Sequence, residues 1–598
     1  MAMTGCKGTV YFLAVFLQAM FLYSAVGCTK DPEPQPDGTQ NSSGFTLSRT
    51  GLSFEWAGGR MYVDVTGPDG WTASVTDGDD WCSVTRESDT RLTVAASRNP
   101  GDGRTAAVTL SAGSEEAEIT VFQKANDAVV EQDVMPENEM YDVEIYRNGE
   151  WERLFVHNAR VSDYAANPEA GYTQYDMGFV MFTDDFSEPV KVRVTRNEPF
   201  SEVRIRPLSY GIDIDSMNGQ SVEFAIDSPE RKVSVEFDGD RMRNLFVLPD
   251  LPDMERPAGA DVMYYGPGVH NVGLISPKSG QTVYIDEGAV VLARVKAENA
   301  DNVTIAGRGI LCASEENHGD GRLPQMEFLN CDNLKIEGIM LRDTPNWTIK
   351  ITGSTGVHID NIKEIGWIMN SDGMDFICCR NVLVENTFQR NYDDNVTIKA
   401  FNATPEYVAS HTAPDGSYTD GNIWTVIALT QFDVYNIEVR NCVFWADKAH
   451  NMVVGPESRG IPFSDIRFHD NIVLENRQDD SVYPGTMAVM IADNGTFSDI
   501  TFENIIVEDI NGGKVICVHF ANAWAFDSLY GQWAKDITFR NISYTGTRAT
   551  RSWIRGLNGT QSIDGLTVDG FTVNGQTVTG KDGPYLEING YVRNVTIQ

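Results

Sequence analysis

Four aspartates stand within one short stretch of strand-forming residues. In "NSDGMDFICCRNVLVENTFQRNYDDNVTIK", residues 370–399, Asp372, Asp375, Asp393 and Asp394 lie among valine, isoleucine and leucine. Strands usually exclude aspartate. Crowded carboxyls repel one another when ionised, which raises the pKa of at least one of them. A protonated carboxyl beside an ionised one suits the hydrolysis of a glycosidic bond, because one acid protonates the leaving oxygen while the other activates water.

The spacing of these acids predicts that they meet. Asp372 and Asp393 are 21 residues apart, which is a plausible single coil of a parallel β-helix. Equivalent positions in successive coils stack about 4.8 Å apart. We therefore expect Asp372, Asp393 and Asp394 to form one patch, and Asp375 to end the "SDGMD" turn. Two other interpretations stay open, namely a solvated acidic turn, since Asp-Asp pairs recur in this chain, and a calcium site made by the whole cluster.

The elements that would position these acids repeat along the C-terminal half. From about residue 260 a phrase recurs: Asn or Asp, two apolar residues separated by one residue, and a short turn. Examples are "DNVTIAGRGI", "DNLKIEGIML", "RNVLVENTF", "SDITFENIIV" and "KDITFRNISY". One strand and one turn repeated at coil length are typical of a β-solenoid. Residues 258–598 are predicted to form a right-handed parallel β-helix, with asparagine in turns because it tolerates left-handed backbone.

Two shorter all-β segments precede the predicted helix. Residues 44–126 and 127–257 alternate apolar and polar residues between turn signals, which predicts two β-sandwich domains. In the first of them "GWTAS", "DWCSVT" and "ITVFQ" resemble the BACON family of small β-sandwich domains. Trp56, Trp71 and Trp81 are candidates for stacking on sugars, although we expect at least two of them to pack in the core.

Composition excludes several classes of partner. The 598-residue chain carries 85 acidic and 47 basic residues, a net charge of −38. This balance argues against nucleic acid and against anionic membrane surfaces. We expect a polysaccharide or oligosaccharide substrate, no metal, no cofactor and a monomer.

The N-terminus resembles a bacterial lipoprotein signal. The apolar segment "VYFLAVFLQAMFLYSAV" ends at "AVGC", which predicts a signal peptide over residues 1–27 and lipid on Cys28. A polar tether follows over residues 28–43. The expected location is the outer membrane, the cell surface or the periplasm. The other cysteines lack CxxC spacing, and most are predicted to be buried and free.

The acidic stretch and its surroundings resemble glycoside hydrolase family 28, the polygalacturonases. "NSDGMDF", "NYDDNVTIK" and "AHNMVVGPES" follow the order of that family's "NTDG", "DDC" and "GHG" motifs. The resemblance implies an inverting mechanism in which Asp394 is the general acid and Asp372 with Asp393 activates water. It implies that His450 orients the acid or binds sugar hydroxyls. Asn370 and Lys399 are the further candidates for binding substrate.

Departures from that pattern favour a different substrate. Polygalacturonases grip the uronate carboxylate with an Arg-x-Lys strand, whereas the matching stretch "GTMAVMIADNG" has no basic residue. "SEVRIRPLSYGIDID" and "YYGPGVHNVGLISPKSGQTVYIDEGAVVLARV" resemble glycoside hydrolase family 49, the dextranase and isopullulanase group of the same clan. We therefore expect an inverting glycosidase that acts on a neutral α-glycan, with a family 28 pectin hydrolase as the alternative.

Two further classes of protein remain as rivals. A β-helix polysaccharide lyase would need a basic residue as its base, and Lys399 is the one basic residue close to the acids apart from two arginines in "CCRNVLVENTFQR". A cell-surface protein that binds glycans without turnover is the other. Candidate aromatic residues for the floor of a sugar cleft come from two predicted loops: Tyr407, Tyr418, Trp424, Trp524, Tyr530 and Trp533.

Overall fold

The computed structural model describes residues 41–598 except 43, 55–58, 98, 100–102, 124–136, 148, 164–172, 253–255, 316–322, 402–408, 410–432, 479–484 and 523–528. The predicted signal peptide, the tether with Cys28, and the aromatic residues Trp56, Tyr407, Tyr418, Trp424 and Trp524 lie outside these described residues. The chain divides into two compact units, Met1–Ala125 and Asn126–Gln598. No helix among the described residues has the length and apolar character needed to cross a membrane.

The first unit is a β-sandwich. Its strands β1 to β9 are Asn41–Ser42, Phe45–Leu47, Gly51–Phe54, Gly59–Thr66, Thr72–Asp77, Cys82–Ser88, Arg91–Ala96, Arg104–Ala112 and Glu115–Gln123. One sheet has the order β1-β2-β4-β7-β6 and the other β3-β9-β8-β5. Apolar side chains alternate inward along these strands and share one core, which includes Trp71 and Trp81. Both tryptophans are therefore core residues, as expected for at least two of the three.

The second unit begins with another sandwich. Strands β10 to β19 are Tyr141–Arg147, Glu150–Leu154, His157–Asp163, Thr173–Thr183, Val190–Arg196, Val203–Arg206, Ile214–Met217, Ser221–Ile226, Val233–Phe237 and Leu245–Asp250. A 3-10 turn covers Leu208–Tyr210. The two sheets have the orders β11-β10-β14-β17-β16 and β12-β13-β19-β18-β15.

The remainder of the second unit is a parallel β-helix built from one continuous 31-stranded sheet. Strands β20 to β35 are Val262–Tyr265, Gly268–Ile275, Thr282–Ile285, Ala289–Glu298, Thr304–Gly307, Ile310–Cys312, Met326–Leu329, Lys335–Glu337, Met340–Thr344, Ile349–Thr352, Thr355–Asp360, Lys363–Gly366, Met374–Ile377, Arg380–Glu385, Phe388–Asn391 and Val396–Lys399. Strands β36 to β50 are Val434–Arg440, Val443–Ala446, Met452–Val454, Pro462–His469, Ile472–Asn476, Met487–Ile491, Thr496–Val507, Ile516–Phe520, Trp533–Tyr544, Ser552–Arg555, Ile563–Asp569, Thr572–Val573, Gln576–Thr577, Leu586–Ile588 and Val592–Ile597. The predicted fold class, an all-β chain with a parallel β-helix behind two sandwiches, is confirmed.

Each coil places three strands on three faces of the helix, and like residues stack from coil to coil. The rings of Phe468, Phe502 and Phe539 stack in the interior with centroids 5.1 Å apart. The seven cysteines in the described part of the chain are buried and free, as predicted for most of them. At the corners, asparagines adopt the predicted left-handed backbone; Asn381 and Asn436 have φ of 54°. The side-chain amide of Asn436 donates to that of Asn381 at 2.8 Å, which links adjacent coils.

The second sandwich packs its β12-β13-β19 sheet against one face of the helix. An apolar core joins Val161, Phe179 and Phe246 of the sandwich to Phe388 and Trp445 of the helix. The edge of this contact lies beside the turns that follow β31, β34 and β37, and these turns carry the predicted acids.

Candidate active site

Three stacked turns bring the predicted residues together. They follow β31, β34 and β37 and cover residues 367–373, 392–395 and 447–451. The amide of Gly373 donates to the carbonyl of Asp394 at 2.7 Å, and the amide of Asn395 donates to that of His450 at 3.0 Å. Asp372, Asp394 and His450 therefore occupy equivalent positions in successive coils.

This register corrects one detail of the sequence interpretation. Met374 of β32 pairs with Val396 of β35, so Asp372 stacks over Asp394 and not over Asp393. Asp393 comes one position earlier and has a different hydrogen-bond partner. Of the neighbouring Asp393 and Asp394, Asp394 therefore belongs to the stack with Asp372, and Asp393 lies beside it.

Asp394 is held by His450. Its Oδ1 accepts hydrogen bonds from the amide of His450 at 2.8 Å and lies 2.7 Å from His450 Nδ1, while Thr397 Oγ1 lies 3.4 Å from Oδ2. Burial alone would raise the pKa of Asp394, but the charge and hydrogen bonds of His450 lower it below its usual value. Asp394 is therefore kept as a carboxylate. His450, predicted from its motif, reaches this acid through Nδ1.

Asp393 has the opposite electrostatic character. It is half-buried, and its Oδ2 accepts the amide of Asn370 at 3.2 Å. Burial, together with the charge of Asp394, raises the pKa of Asp393 to about 6, although Asn370, Lys448 and His450 oppose the rise. Asn370, predicted to bind substrate, contributes its main-chain amide here and has a left-handed φ of 66°.

A buried lysine lies among the other acids. Lys399 Nζ lies 2.9 Å from Asp375 Oδ1, 2.7 Å from Glu457 Oε2 and 3.9 Å from Asp372 Oδ2. Its side chain is 2% exposed, and Nζ lies 3.7 Å from the centre of the Trp347 ring. Burial would lower the pKa of Lys399, but the surrounding carboxylates raise it. A permanent cation at this position opposes a calcium ion among the acids, and it is a poor base for a lyase.

Asp375 differs from its prediction. It lies inside β32 and is fully buried, whereas the sequence suggested that it ends a turn. Burial raises the pKa of Asp375 to about 7, against the opposing charge of Lys399. The side chain points outward on the strand because β32 alternates its residues between core and surface. Asp375 is therefore an ion-pair partner within the site.

Asp372 is the most crowded of the acids. Burial and the charges of Asp375 and Asp393 raise its pKa well above the usual range, and Lys399 opposes this. Its Oδ1 is buried without a hydrogen-bond partner among the described atoms. An acceptor of this kind, stacked over the carboxylate of Asp394, suits the binding of a water molecule.

A layer of amides inside the helix supports the turns. Asn451 donates to Asn395 at 2.7 Å, and Asn476 donates to Asn451 at 2.6 Å. Asn395 follows Asp394 in the chain and Asn451 follows His450, so this ladder of side-chain amides fixes the backbone beneath Asp394 and His450. Ala449 has φ of 71°, a strained conformation that a residue with a β-carbon adopts at a cost. The side-chain amide of Asn476 donates to the carbonyl of Ala449 at 2.9 Å.

Sequence reasoning missed Glu457 and Trp347. Glu457 is partly exposed, has a left-handed φ of 47° and reaches Lys399 from the turn after β38. Trp347 precedes Asp372 by one coil, since the amide of Thr348 donates to the carbonyl of Asp372. The coil repeat could have identified Trp347 from the sequence, because Trp347 lies one coil before Asp372. No sequence signal pointed to Glu457, because 58 residues separate it from Lys399.

The coil after His450 has an apolar outer face. Met452 pairs with Met487, which puts Ala488 and Met490 on the next strand of this face. This is the strand that the sequence resemblance matched to Arg-x-Lys of the polygalacturonases. Both are buried and pack with Val453. The described residues of this strand thus provide no cation, as the sequence predicted. Of the candidate cleft aromatics, Tyr530 is packed against the helix core, and Trp533 begins β44, an element of another face.

Comparisons with known families agree with these motifs. Residues 288–584 match the family model described as glycosyl hydrolases family 28, and residues 71–124 match BACON, a putative binding domain. No curated protein is significantly similar to the chain. The match supports the family 28 alternative, and the expected family 49 type acting on a neutral α-glycan is not supported.

Solved structures similar to this chain include three enzymes. A hyperthermoactive exopolygalacturonase from Thermotoga maritima is 17% identical over 56% of this chain and 83% of its own, with a TM-score of 0.39. A family 28 exopolygalacturonase from Yersinia enterocolitica is 12% identical over 83% of this chain and 97% of its own, with a TM-score of 0.37. An endo-xylogalacturonan hydrolase from Aspergillus tubingensis is 13% identical over 56% and 86%, with a TM-score of 0.36.

Proposed function

We propose that this chain, whose residues 288–584 belong to glycosyl hydrolases family 28, hydrolyses a pectin-type polysaccharide with inversion at the anomeric carbon. The observation that carries the mechanism is the difference between two neighbouring carboxyls. His450 keeps Asp394 ionised, while Asp393 has a pKa of about 6. Acid and base roles are assigned by environments that separate the pKa values of paired carboxyls.

In this mechanism Asp393 is the general acid. It is the least buried of the three aspartates, and its raised pKa leaves it protonated in mildly acidic solution. It donates its proton to the glycosidic oxygen as the bond to the anomeric carbon breaks. This exchanges the roles that the sequence suggested for Asp393 and Asp394.

Asp394 and Asp372 act on water in this proposal. The water lies between the stacked carboxyls, where Asp394 accepts its proton and Asp372 orients it. The hydroxide adds to the face of the sugar opposite the departing group, which inverts the configuration. Inversion requires about 6.5–9.5 Å between acid and base to leave room for the water. In this proposal Asp393, which lies beside the stack, protonates the glycosidic oxygen from the other side of the bond.

The roles of Asp393 as acid and Asp394 as base can be distinguished with two substrates that differ in their leaving groups. Asp393→Asn should lose turnover of the polysaccharide by orders of magnitude and retain much more on a dinitrophenyl glycoside, whose departure needs no proton. Asp394→Asn should lose both, because water activation fails in either case. Asp185→Asn, which changes the exposed member of an Asp-Asp pair in the second sandwich, is the control and should change neither rate.

The stereochemistry provides an independent test. NMR of the first product should show the anomer opposite to that of the substrate. A product that retains the configuration would require a covalent nucleophile and would contradict the proposed mechanism. Equal losses for Asp393→Asn on both substrates would contradict its role as the acid.

A further inference from the structure

Strand β12 of the second sandwich runs beside the turns that carry the acids. At its centre, Arg160 Cζ lies 4.4 Å from the centre of the Trp367 ring, and Trp367 is the first residue of the turn over residues 367–373. At its end, Asp163 Oδ1 lies 3.4 Å from Arg477, which follows β40. The strand therefore contacts the first acidic turn and, three coils later, the end of β40.

The helix receives β12 at a bulge. Between Arg342 and Thr344, β28 has one more residue than β31, and this extra residue, Asp343, has a left-handed φ of 60°. A bulge redirects a side chain, and such a backbone persists where its surroundings hold it. Asp343 Oδ1 accepts the main-chain amide of Arg160 at 2.8 Å. Because the carboxyl is fully buried, this contact fixes the position of Arg160 along the helix.

The side chain of Arg160 extends from this coil to the next. Thr344 pairs with Gly366, so Trp367 lies one coil beyond the bulge at Asp343. Arg160 Nε lies 3.4 Å from Asp343 Oδ2, while Cζ lies over the Trp367 ring. The Arg160 side chain is 19% exposed and Trp367 is 8% exposed. A cation–π contact withdrawn from water in this way is stronger than one at an exposed site.

The turn that begins at Trp367 is connected directly to the acids. A main-chain hydrogen bond of 2.8 Å closes it, and Asp372 lies near its end. The amide of Asn370, in the middle of the turn, donates to Asp393 Oδ2 at 3.2 Å. A displacement of Trp367 would therefore move both the carboxyl of Asp372 and the hydrogen-bond donor of Asp393.

We propose that Arg160 is a positioning residue for the hydrolysis: it holds Trp367 and thereby the turn that places Asp372 and the amide of Asn370. The inference rests on the proposed function and assigns the second sandwich a part in it. The contribution is to kcat more than to KM, because Asp372 and Asp393 act on the attacking water and the breaking bond.

Arg160→Met keeps the main-chain amide that binds Asp343 and removes the contact with Trp367. It should lower kcat about ten- to hundred-fold with little change in KM, since a displacement of about 1 Å at a reacting centre can cost about a hundred-fold. Burial raises the pKa of Asp393, and the amide of Asn370 opposes this rise. Loss of that hydrogen bond should move the alkaline limb of the pH profile to higher pH. An alkaline limb that stays in place would overturn the proposal, because a merely structural loss does not move it.

Arg160→Lys guards against a variant that does not fold. It keeps a charge beside Asp343 and lacks the planar guanidinium that lies over Trp367. It should unfold in urea at the wild-type midpoint, yet lower kcat and move the alkaline limb in the same direction as Arg160→Met. Wild-type kinetics in Arg160→Lys would show that charge alone suffices and would overturn the role of the contact with Trp367.

A double variant examines whether Arg160 acts through Trp367. In a Trp367→Leu background, Arg160→Met should lower kcat little further, because the ring that it contacts is gone. Losses that multiply would overturn the proposal. Arg193→Met is the matched control: Arg193 Cζ lies 3.8 Å from the centre of the Trp151 ring in the other sheet of the same sandwich. Its kcat and alkaline limb should equal those of the wild type.

Amide hydrogen exchange followed by mass spectrometry tests the contact without turnover. Peptides that cover residues 367–373 should exchange about tenfold faster or more in Arg160→Met, and at the wild-type rate in Arg193→Met. Equal exchange in the wild type and both variants would overturn the proposal, whether or not hydrolysis is found. If the wild type cleaves no pectin-type polysaccharide, the proposed function is wrong, and the exchange rates by themselves decide whether Arg160 holds the turn.

Discussion

At the scale of single residues, the contact between His450 and Asp394 should control the pH at which the proposed base is ionised. His450→Gln removes the imidazole charge and the Nδ1 contact, while burial of the carboxyl remains. The pKa of Asp394 should then rise, and a base with a higher pKa becomes ionised only at higher pH. The acidic limb of the kcat/KM profile should therefore move to higher pH, with a lower maximum.

The pH profile of the wild type provides the reference for this change. Its alkaline limb should fall above about pH 6, where Asp393 loses its proton. His469→Gln is the control, because His469 binds Glu438 and Asp470 on another face of the helix. An acidic limb that does not move in His450→Gln would contradict the role of His450 in holding Asp394.

Lys399 is the second residue whose charge decides the state of the site. Lys399→Met leaves Asp375 and Glu457 without their shared cation and removes the charge that opposes a raised pKa in Asp372. Breaking a buried ion pair from one side costs about 3–5 kcal/mol. We expect a loss of stability of this order in urea unfolding, together with a large loss of turnover.

A double variant identifies the source of that loss. Asp375→Asn removes one of the uncompensated carboxylates, so Lys399→Met combined with Asp375→Asn should recover part of the stability. Lys350→Met breaks another buried pair of the same face, with Glu327 at 2.8 Å, and should lower stability while turnover persists. Losses that simply add in the double variant would show that Lys399 and Asp375 act separately.

At the scale of elements, Arg390 of β34 ties the turn over residues 447–451 to the second sandwich. Its guanidinium binds Asp447 at 2.9 and 3.0 Å, Asn244 at 2.8 Å and the carbonyl of Arg241 at 3.0 Å. Asp447 begins the turn that carries His450. Arg390→Met should cost about 3–5 kcal/mol of stability in urea unfolding, and it should lower kcat because the turn loses its anchor.

Arg231, a partly exposed arginine, gives the comparison for Arg390. Arg231→Met removes a surface pair with Asp227 at 3.0 Å, and such pairs contribute about 0–1 kcal/mol. Its unfolding midpoint and kcat should match those of the wild type. If Arg390→Met behaves like Arg231→Met, the sandwich does not support the turn.

The elements also explain what could be predicted from the sequence. The strand phrases predicted the helix because a coil repeats its apolar pattern locally, and the acids stood out because strands exclude them. The pairing of Asp372 with Asp393 assumed a coil of 21 residues, whereas Met374 pairs with Val396 and the coil from Asp372 onward is one residue longer. The partners of Lys399 could not be predicted, because they depend on the register between coils. Asp375 was assigned to a turn because "SDGMD" contains turn residues, although its last residue is in β32.

At the scale of the whole molecule, the second sandwich and the β-helix should behave as one folding unit. Their shared core buries Phe179 and Phe246 against Phe388 and Trp445, and buried charges cross the same junction. Lys363 of the helix binds Asp250 of the sandwich at 2.6 Å, and both side chains are buried. A chain of residues 258–598 would expose this apolar surface and leave an unpaired buried charge, so it should aggregate.

Removal of the first unit should have a different result. Residues 44–123 have their own apolar core, and every predicted catalytic residue lies in the second unit. Residues 126–598 should therefore fold and cleave a short oligosaccharide with the kcat/KM of the full chain. Differential scanning calorimetry should show two transitions for the full chain and one after this truncation. A third transition, or soluble and active residues 258–598, would show that the sandwich and the helix fold independently.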